Sequence, residues 1–394
     1  MSSSTYSQDT EHTQSQIFDF SDSTEHITEQ YVIDNLEKQI NNNYLYVENY
    51  DDLYNTEFLN NFEIEILHLI ECNNVVLNLN NPRIKTLELH CCEIKRLDQL
   101  ELPNLEVFIL YEETEENDIF ASLRQFKKLK ELYLYGIALN LKHIQELQLT
   151  KLELASCQIT NFEVITQFTL LTDLNLSTST NIGSKIRLLA QMIQLTNLNL
   201  QRCDLKNVDF LKPLVNLNQL DLSRNENINI HSLQFMKQLT KLIVYSCSLN
   251  DITYLKTLAN LQELDISYNN LVYLEPLKDL KQIKVLHAVQ NQILDAQVLR
   301  NHPNFGSYTL DNQRKEKPKA KAKQIALAIK LRNINAQINS LKNMRTFRSN
   351  LRFNMTLQHQ KVEKHLQQIK YNLALCTGQV VSLFQQLNSL QDFQ

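Results

Sequence analysis

The chain has 394 residues, 39 of them basic and 44 acidic, with four glycines, six prolines, seven cysteines and no tryptophan. Neither GxxxxGK(S/T) nor GxGxxG can be written around Gly136, Gly183, Gly306 and Gly378, which excludes the glycine-dependent phosphate loops. From Gln313 onward there are 15 basic and 3 acidic residues, leaving 24 and 41 before it, so a basic segment of net +12 follows an acidic body of net −17.

In chain order, residues 1–29 hold twelve Ser or Thr and little that is apolar, which predicts disorder and no export leader. No run of 18 apolar residues occurs, so no transmembrane segment is expected and the reading is a cytoplasmic, or nuclear, protein. Residues 30–63 are expected to cap a solenoid, with Tyr44 to Val47 as a degenerate first strand covering an otherwise bare sheet edge.

From Ile64 to Ile293 one pattern recurs eleven times, starting at Ile64, Ile84, Leu105, Leu129, Leu149, Leu171, Leu195, Leu217, Leu239, Leu261 and Ile283. Its clearest copies read Leu217, Leu220, Leu222, Asn225, Ile228 and Leu261, Leu264, Ile266, Asn269, Leu271, which is L-x-x-L-x-L-x-x-N/C-x-L. Alternation in the Leu-x-Leu core predicts a strand with Leu220 and Leu222 inward and Gln219, Asp221 and Ser223 outward. The spacing of three in Leu205, Val208, Leu211, Leu214 predicts a helical or 3₁₀ turn on the other side. The predicted class is α/β, a right-handed curved leucine-rich-repeat solenoid.

The third copy lacks Asn or Cys and runs into Glu112 to Glu116, and the sixth carries Ser177, Thr178, Ser179, Thr180 and Gly183, so both turns are expected to be irregular. Cys72, Cys92, Cys157, Cys203 and Cys247 stand at the N/C position, where a small buried thiol bonds the turn backbone. They are therefore read as reduced, neither disulfide-bonded nor metal-binding, and a zinc site from His90, Cys91, Cys92 and Cys72 is set aside.

The span from Ile64 to Ile293 resembles the 22-residue intracellular leucine-rich-repeat class, typified by a regulatory subunit of protein phosphatase 1. Asn301 to Tyr308, within a predicted cap 294–312, resembles the short cap that ends such arrays. The resemblance implies protein binding and, as an alternative, regulation of a Ser/Thr phosphatase catalytic subunit. Lys206-Asn207-Val208-Asp209-Phe210 resembles the basic-x-Val-x-Phe docking peptide of phosphatase regulators, but Val208 falls in the inward register.

No constellation for catalysis, cofactor or small-molecule substrate is found, so an enzyme is not expected. The predicted protein-binding face is the concave one, carrying Val107, Ile109, Tyr111, Glu131, Tyr133 and Tyr135, then Asp173, Asn199, Asp221, Ile243, Tyr245, Asp265 and His287. After Pro318 the chain is rich in Lys, Gln and Leu, and Ile369, Leu373, Cys376, Val380, Leu383, Leu387 and Leu390 follow a heptad seam. Residues 313–394 are thus expected to form a basic helical or coiled-coil tail that self-associates. Nucleic-acid or anionic-membrane binding through it is the alternative from another class.

Overall fold

The computed structural model describes residues 40, 43–48, 56–72, 78–90, 97–111, 118–294, 296–300, 302 and 307–310. The expected disordered segment 1–29, the acidic run 112–116, Cys91, Cys92 and the basic tail 313–394 lie outside these residues.

Each Leu-x-Leu core forms one short strand, because a single repeat has no second layer of its own and buries its leucines only against its neighbours. Among the described residues thirteen strands make one parallel sheet in chain order. They are β1 (Tyr44–Glu48), β2 (Ile66–Ile70), β3 (Thr86–His90), β4 (Val107–Tyr111), β5 (Glu131–Tyr135), β7 (Lys151–Ala155), β9 (Asp173–Asn175), β10 (Asn197–Asn199), β11 (Gln219–Asp221), β12 (Lys241–Ile243), β13 (Glu263–Asp265), β14 (Val285–His287) and β15 (Ser307–Thr309). The remaining two, β6 (Ala138–Asn140) and β8 (Gln158–Thr160), pair in a separate ribbon. Strands β1 and β15 flank the eleven that begin two residues after each repeat start, so the described sheet ends on strands from the two segments outside 64–293.

Behind the sheet the chain turns in 3₁₀ segments, among them Phe162–Gln167, Asp209–Leu211, His231–Phe235, Thr253–Thr257 and Glu275–Asp279. Of the helical or 3₁₀ turn expected there, the chain takes the 3₁₀ form; the α-helix among the described residues is the four-residue Gln297–Arg300. Apolar residues spaced by three suit a 3₁₀ segment of three residues per turn, which returns them all to the face that packs behind the sheet.

The core is a continuous stack of leucines. Leu198, Leu220, Leu242, Leu264 and Leu286 occupy one register and are all buried, as are Leu200, Leu222, Val244, Ile266 and Ala288 behind them. Full burial of such a side chain contributes about 1.5–3 kcal/mol. In the turns after β10 to β14 one residue takes left-handed backbone: Arg202, Arg224, Ser246, Tyr268 and Gln290, at φ between 54° and 57°. That reversal aims the following Cys or Asn side chain into the core. Asn225, Asn269 and Asn291 are fully buried there.

Ser223, expected outward, is buried, as are Ser177 and Ser267 at the same place. The chain begins its inward turn before the strand alternation would predict.

Candidate functional site

Parallel registration sorts the outward side chains into rows running across the sheet. One row is Tyr44, Ile66, Thr86, Val107, Glu131, Lys151, Asp173, Asn197, Gln219, Lys241, Glu263, Val285 and Ser307. The row beside it is Tyr46, His68, Glu88, Ile109, Tyr133, Glu153, Asn175, Asn199, Asp221, Ile243, Asp265, His287 and Thr309. A third row exists only where strands are five residues long: Ile70, His90, Tyr111, Tyr135 and Ala155. Of the residues predicted for this face, all but Tyr245 stand in these rows; Tyr245 follows β12 by two residues.

The rows differ in chemistry along the sheet. Strands β1 to β5 carry an aromatic block in which Tyr111 and Tyr135 stack with ring centres 4.2 Å apart and planes 4° from parallel. His90 meets Tyr111 edge-on at 4.7 Å, and Tyr44 meets His68 the same way at 5.1 Å. Offset and edge-on contacts at such distances add about 0.5–1.5 kcal/mol beyond burial, so the block is held rigid before any partner arrives. Val107 and Ile109 lie beside it, and all these side chains remain partly exposed.

Carboxylates border the aromatics. Tyr133 donates its hydroxyl to Glu131 at 2.7 Å, and the Lys151 ammonium lies 4.9 Å from the Tyr133 ring centre. Burial pushes the Tyr133 and Tyr135 phenols well above the usual tyrosine range, helped by Glu131 at Tyr133 and by Tyr111 and Glu153 at Tyr135, so both stay protonated. Nδ1 of His68 lies 3.1 Å from Glu88, yet burial lowers the imidazole to about 4 and also raises the Glu88 carboxyl. Desolvation outweighs the attraction at this pair, and His68 is neutral at physiological pH.

From β9 onward the face is polar and partly structural. Asn199, Asp221 and Asp265 each use Oδ1 to accept the N–H two residues on, from Gln201, Ser223 and Ser267, at 2.8–2.9 Å. These side chains hold the start of the turn, a role that periodicity alone does not reveal. Asp173 accepts from Asn197 and from the Thr172 hydroxyl, and His287 shares a hydrogen bond with Thr309 at 3.0 Å. Ile243 stands between the turn-holding aspartates with part of its side chain open. Tyr245 belongs to a rim cluster, 4.8 Å from the Tyr268 ring and under the Arg224 guanidinium at 5.7 Å.

Altogether the described face presents Glu88, Glu131, Glu153, Asp173, Asp221, Glu263 and Asp265 against Lys151 and Lys241. Glu88, His90, Lys151, Glu153 and Ala155 were missed in the sequence reading, although they flank Leu-x-Leu cores in the second and fifth repeats and the same rule reaches them. Arg224 and Tyr268 carry no such signal, since they project to the rim only through their left-handed backbone.

Other candidate chemistry resolves structurally. Cys157, Cys203 and Cys247 donate their thiols to the carbonyls of Leu134, Leu176 and Leu222 at 3.2 Å, and none of these three is in a disulfide. Cys203 is the one of these that is partly exposed. No group of three or more His, Cys, Asp or Glu among the described residues is placed to hold a metal. In the docking-like segment Val208 is fully buried and Phe210 packs against the core, so the peptide is part of the repeat. Among the described residues no helix is long and apolar enough to cross a membrane.

These features define the chain as having the leucine-rich-repeat fold. No protein-family model and no curated protein matches the sequence. Among solved structures it is similar to an internalin, InlF, of Listeria monocytogenes, with 21% identity and a TM-score of 0.53 over 71% of this chain and 83% of that one. A leucine-rich-repeat protein of Leptospira interrogans is similar at 21% identity and a TM-score of 0.47, over 64% of this chain and 73% of that one. The first likeness shows the shared fold. The second is too distant to carry an argument.

Proposed function

We propose that the protein is a non-enzymatic interaction scaffold that binds a protein partner on the open, concave face of its sheet. The observation that carries this reading is the preorganised aromatic block around Tyr111 and Tyr135, part-exposed and bordered by carboxylates. Rigid aromatics surrounded by polar residues supply most of the binding energy at protein interfaces, because they bury large area at little entropic cost.

The alternative of a phosphatase regulatory subunit draws on the 22-residue repeat class. Its docking-like peptide does not support it, since Val208 would have to leave the core at a cost of about 1.5–3 kcal/mol. Self-association or anion binding by residues 313–394, and a cytoplasmic or nuclear location, remain proposals from the sequence.

The test is partner capture from cells of the source with the tagged full chain, comparing Tyr111→Glu and Ile243→Glu with Lys212→Glu on the opposite side. A partner lost from both face variants and kept by the third is expected. A partner lost only from Lys212→Glu would place the interaction elsewhere.

A further inference from the structure

The row His90, Tyr111, Tyr135 stops one place short. Tyr111 stacks on one face of Tyr135 with planes 4° apart, so the second face of Tyr135 looks along the row toward β7. The residue in register there is Ala155, a methyl group where the row would need a ring, and Ala155 is itself partly exposed. Beyond it the backbone turns inward and the corresponding Ser177 is small and buried. Beside Tyr135 there is thus a step about one strand spacing wide, roughly 4.8 Å, floored by Ala155.

Glu153, two residues earlier on the same face of β7, flanks this step. Its carboxylate accepts from Asn175 at 2.6 Å and lies 3.6 Å from Lys151, which leaves lone pairs for a further donor. Glu153 lies near enough to the Tyr135 phenol to help hold its proton. The chain shows elsewhere what a tyrosine in this setting accepts. Lys151 seats its ammonium over Tyr133, whose hydroxyl is held by Glu131, and Arg224 lies over Tyr245.

We propose that the step at Ala155 is a seat for an arginine side chain of a partner protein, its guanidinium stacked on the second face of Tyr135 and hydrogen-bonded to Glu153. A planar guanidinium extends the aromatic row and donates in a fork to a carboxylate, whereas an ammonium does neither and is held more tightly by water. An aromatic occupant would leave Glu153 unused. The excess of carboxylates over lysines on the face favours a basic segment around that arginine. This inference deepens the reading of the face as a protein-binding surface and rests on it.

The experiment uses the full chain and two fluorescein-labelled probes, nona-arginine and nona-lysine, in fluorescence anisotropy at physiological salt. The arginine peptide is expected to bind about tenfold more tightly. Ala155→Phe, which fills the step and continues the stack, is expected to reduce the arginine peptide to the level of the lysine peptide, while Ala155→Ser keeps the preference. Should Ala155→Phe melt early, Glu153→Gln takes its place, with the preference expected to shrink severalfold. Equal affinity for the two peptides overturns the proposal, as does an unchanged preference in Ala155→Phe or Glu153→Gln. Self-association of the chain without peptide binding assigns the face to a second copy and overturns it too. If the seat fails while Tyr111→Glu still loses a captured partner, the face reading stands and only the arginine seat falls.

Discussion

The carboxamide oxygen of Asn269 reaches back one repeat to accept the backbone N–H of Cys247 at 3.0 Å. It also accepts from Leu249 at 2.9 Å, while its Nδ2 donates to the carbonyls of Val244, Ile266 and Ser267. Asn225 does the same for Cys203 and Leu205. One buried amide therefore satisfies two repeats at once, and the cysteine turns depend on the asparagine that follows them.

Asn269→Ala strands the N–H groups of Cys247 and Leu249 in the core. Each buried unsatisfied group costs about 1–3 kcal/mol, so a loss of roughly 2–5 kcal/mol is expected, against about 1 kcal/mol for Cys247→Ala. Urea unfolding gives the two losses, and hydrogen exchange should accelerate at both stranded amides. Equal losses would remove the bridging role.

The strand register predicts a contrast between adjacent residues. Leu220 is 1% exposed, and Leu220→Ala should cost about 2–5 kcal/mol through the cavity it leaves. Asp221→Ala should cost about 1 kcal/mol, the value of the bond it accepts from the Ser223 N–H, and Asp221→Asn less. The comparison is read from denaturation midpoints at constant m-value.

Burial pushes the Cys157 thiol up to about 11 and those of Cys203 and Cys247 to about 12. In the unfolded chain these thiols ionise near 9, so above that pH the folded state holds more protons than the unfolded one. Their contribution is complete below pH 9 and is lost as pH rises toward 12. Thermal melts should fall across this window, less so in Cys203→Ala. At pH 8 the folded chain should react slowly with a thiol reagent and rapidly after denaturation.

His68 shows the opposite sign. Burial lowers it to about 4, so the unfolded imidazole binds a proton from about pH 6.5 downward while the folded one does not. Its stabilising contribution is present above pH 6.5 and is lost as pH falls through 4. NMR titration should place the His68 ring near pH 4, and His68→Gln should flatten the acid limb of the stability curve. A ring titrating above pH 7 would show that the Glu88 contact dominates instead.

The sequence by itself determined the repeat and the two faces of its strands, because a side chain spaced by two on a strand has no choice but to alternate. From Leu217, Leu220, Leu222 and Asn225 the inward register is legible, and so is the outward place of Tyr111 and Tyr135. Tertiary structure alone decided which outward residues are occupied by the fold itself. Asn199, Asp221 and Asp265 look like binding residues in sequence, yet their carboxyl or amide oxygens hold turn N–H groups, a partnership set by backbone that bends inward after the strand. Stacking of Tyr111 on Tyr135, and the open place beside them at Ala155, likewise arise between strands 20 to 24 residues apart. Which side chains become neighbours depends on parallel registration, and registration is a property of the packed sheet, since no single repeat buries its leucines without the next.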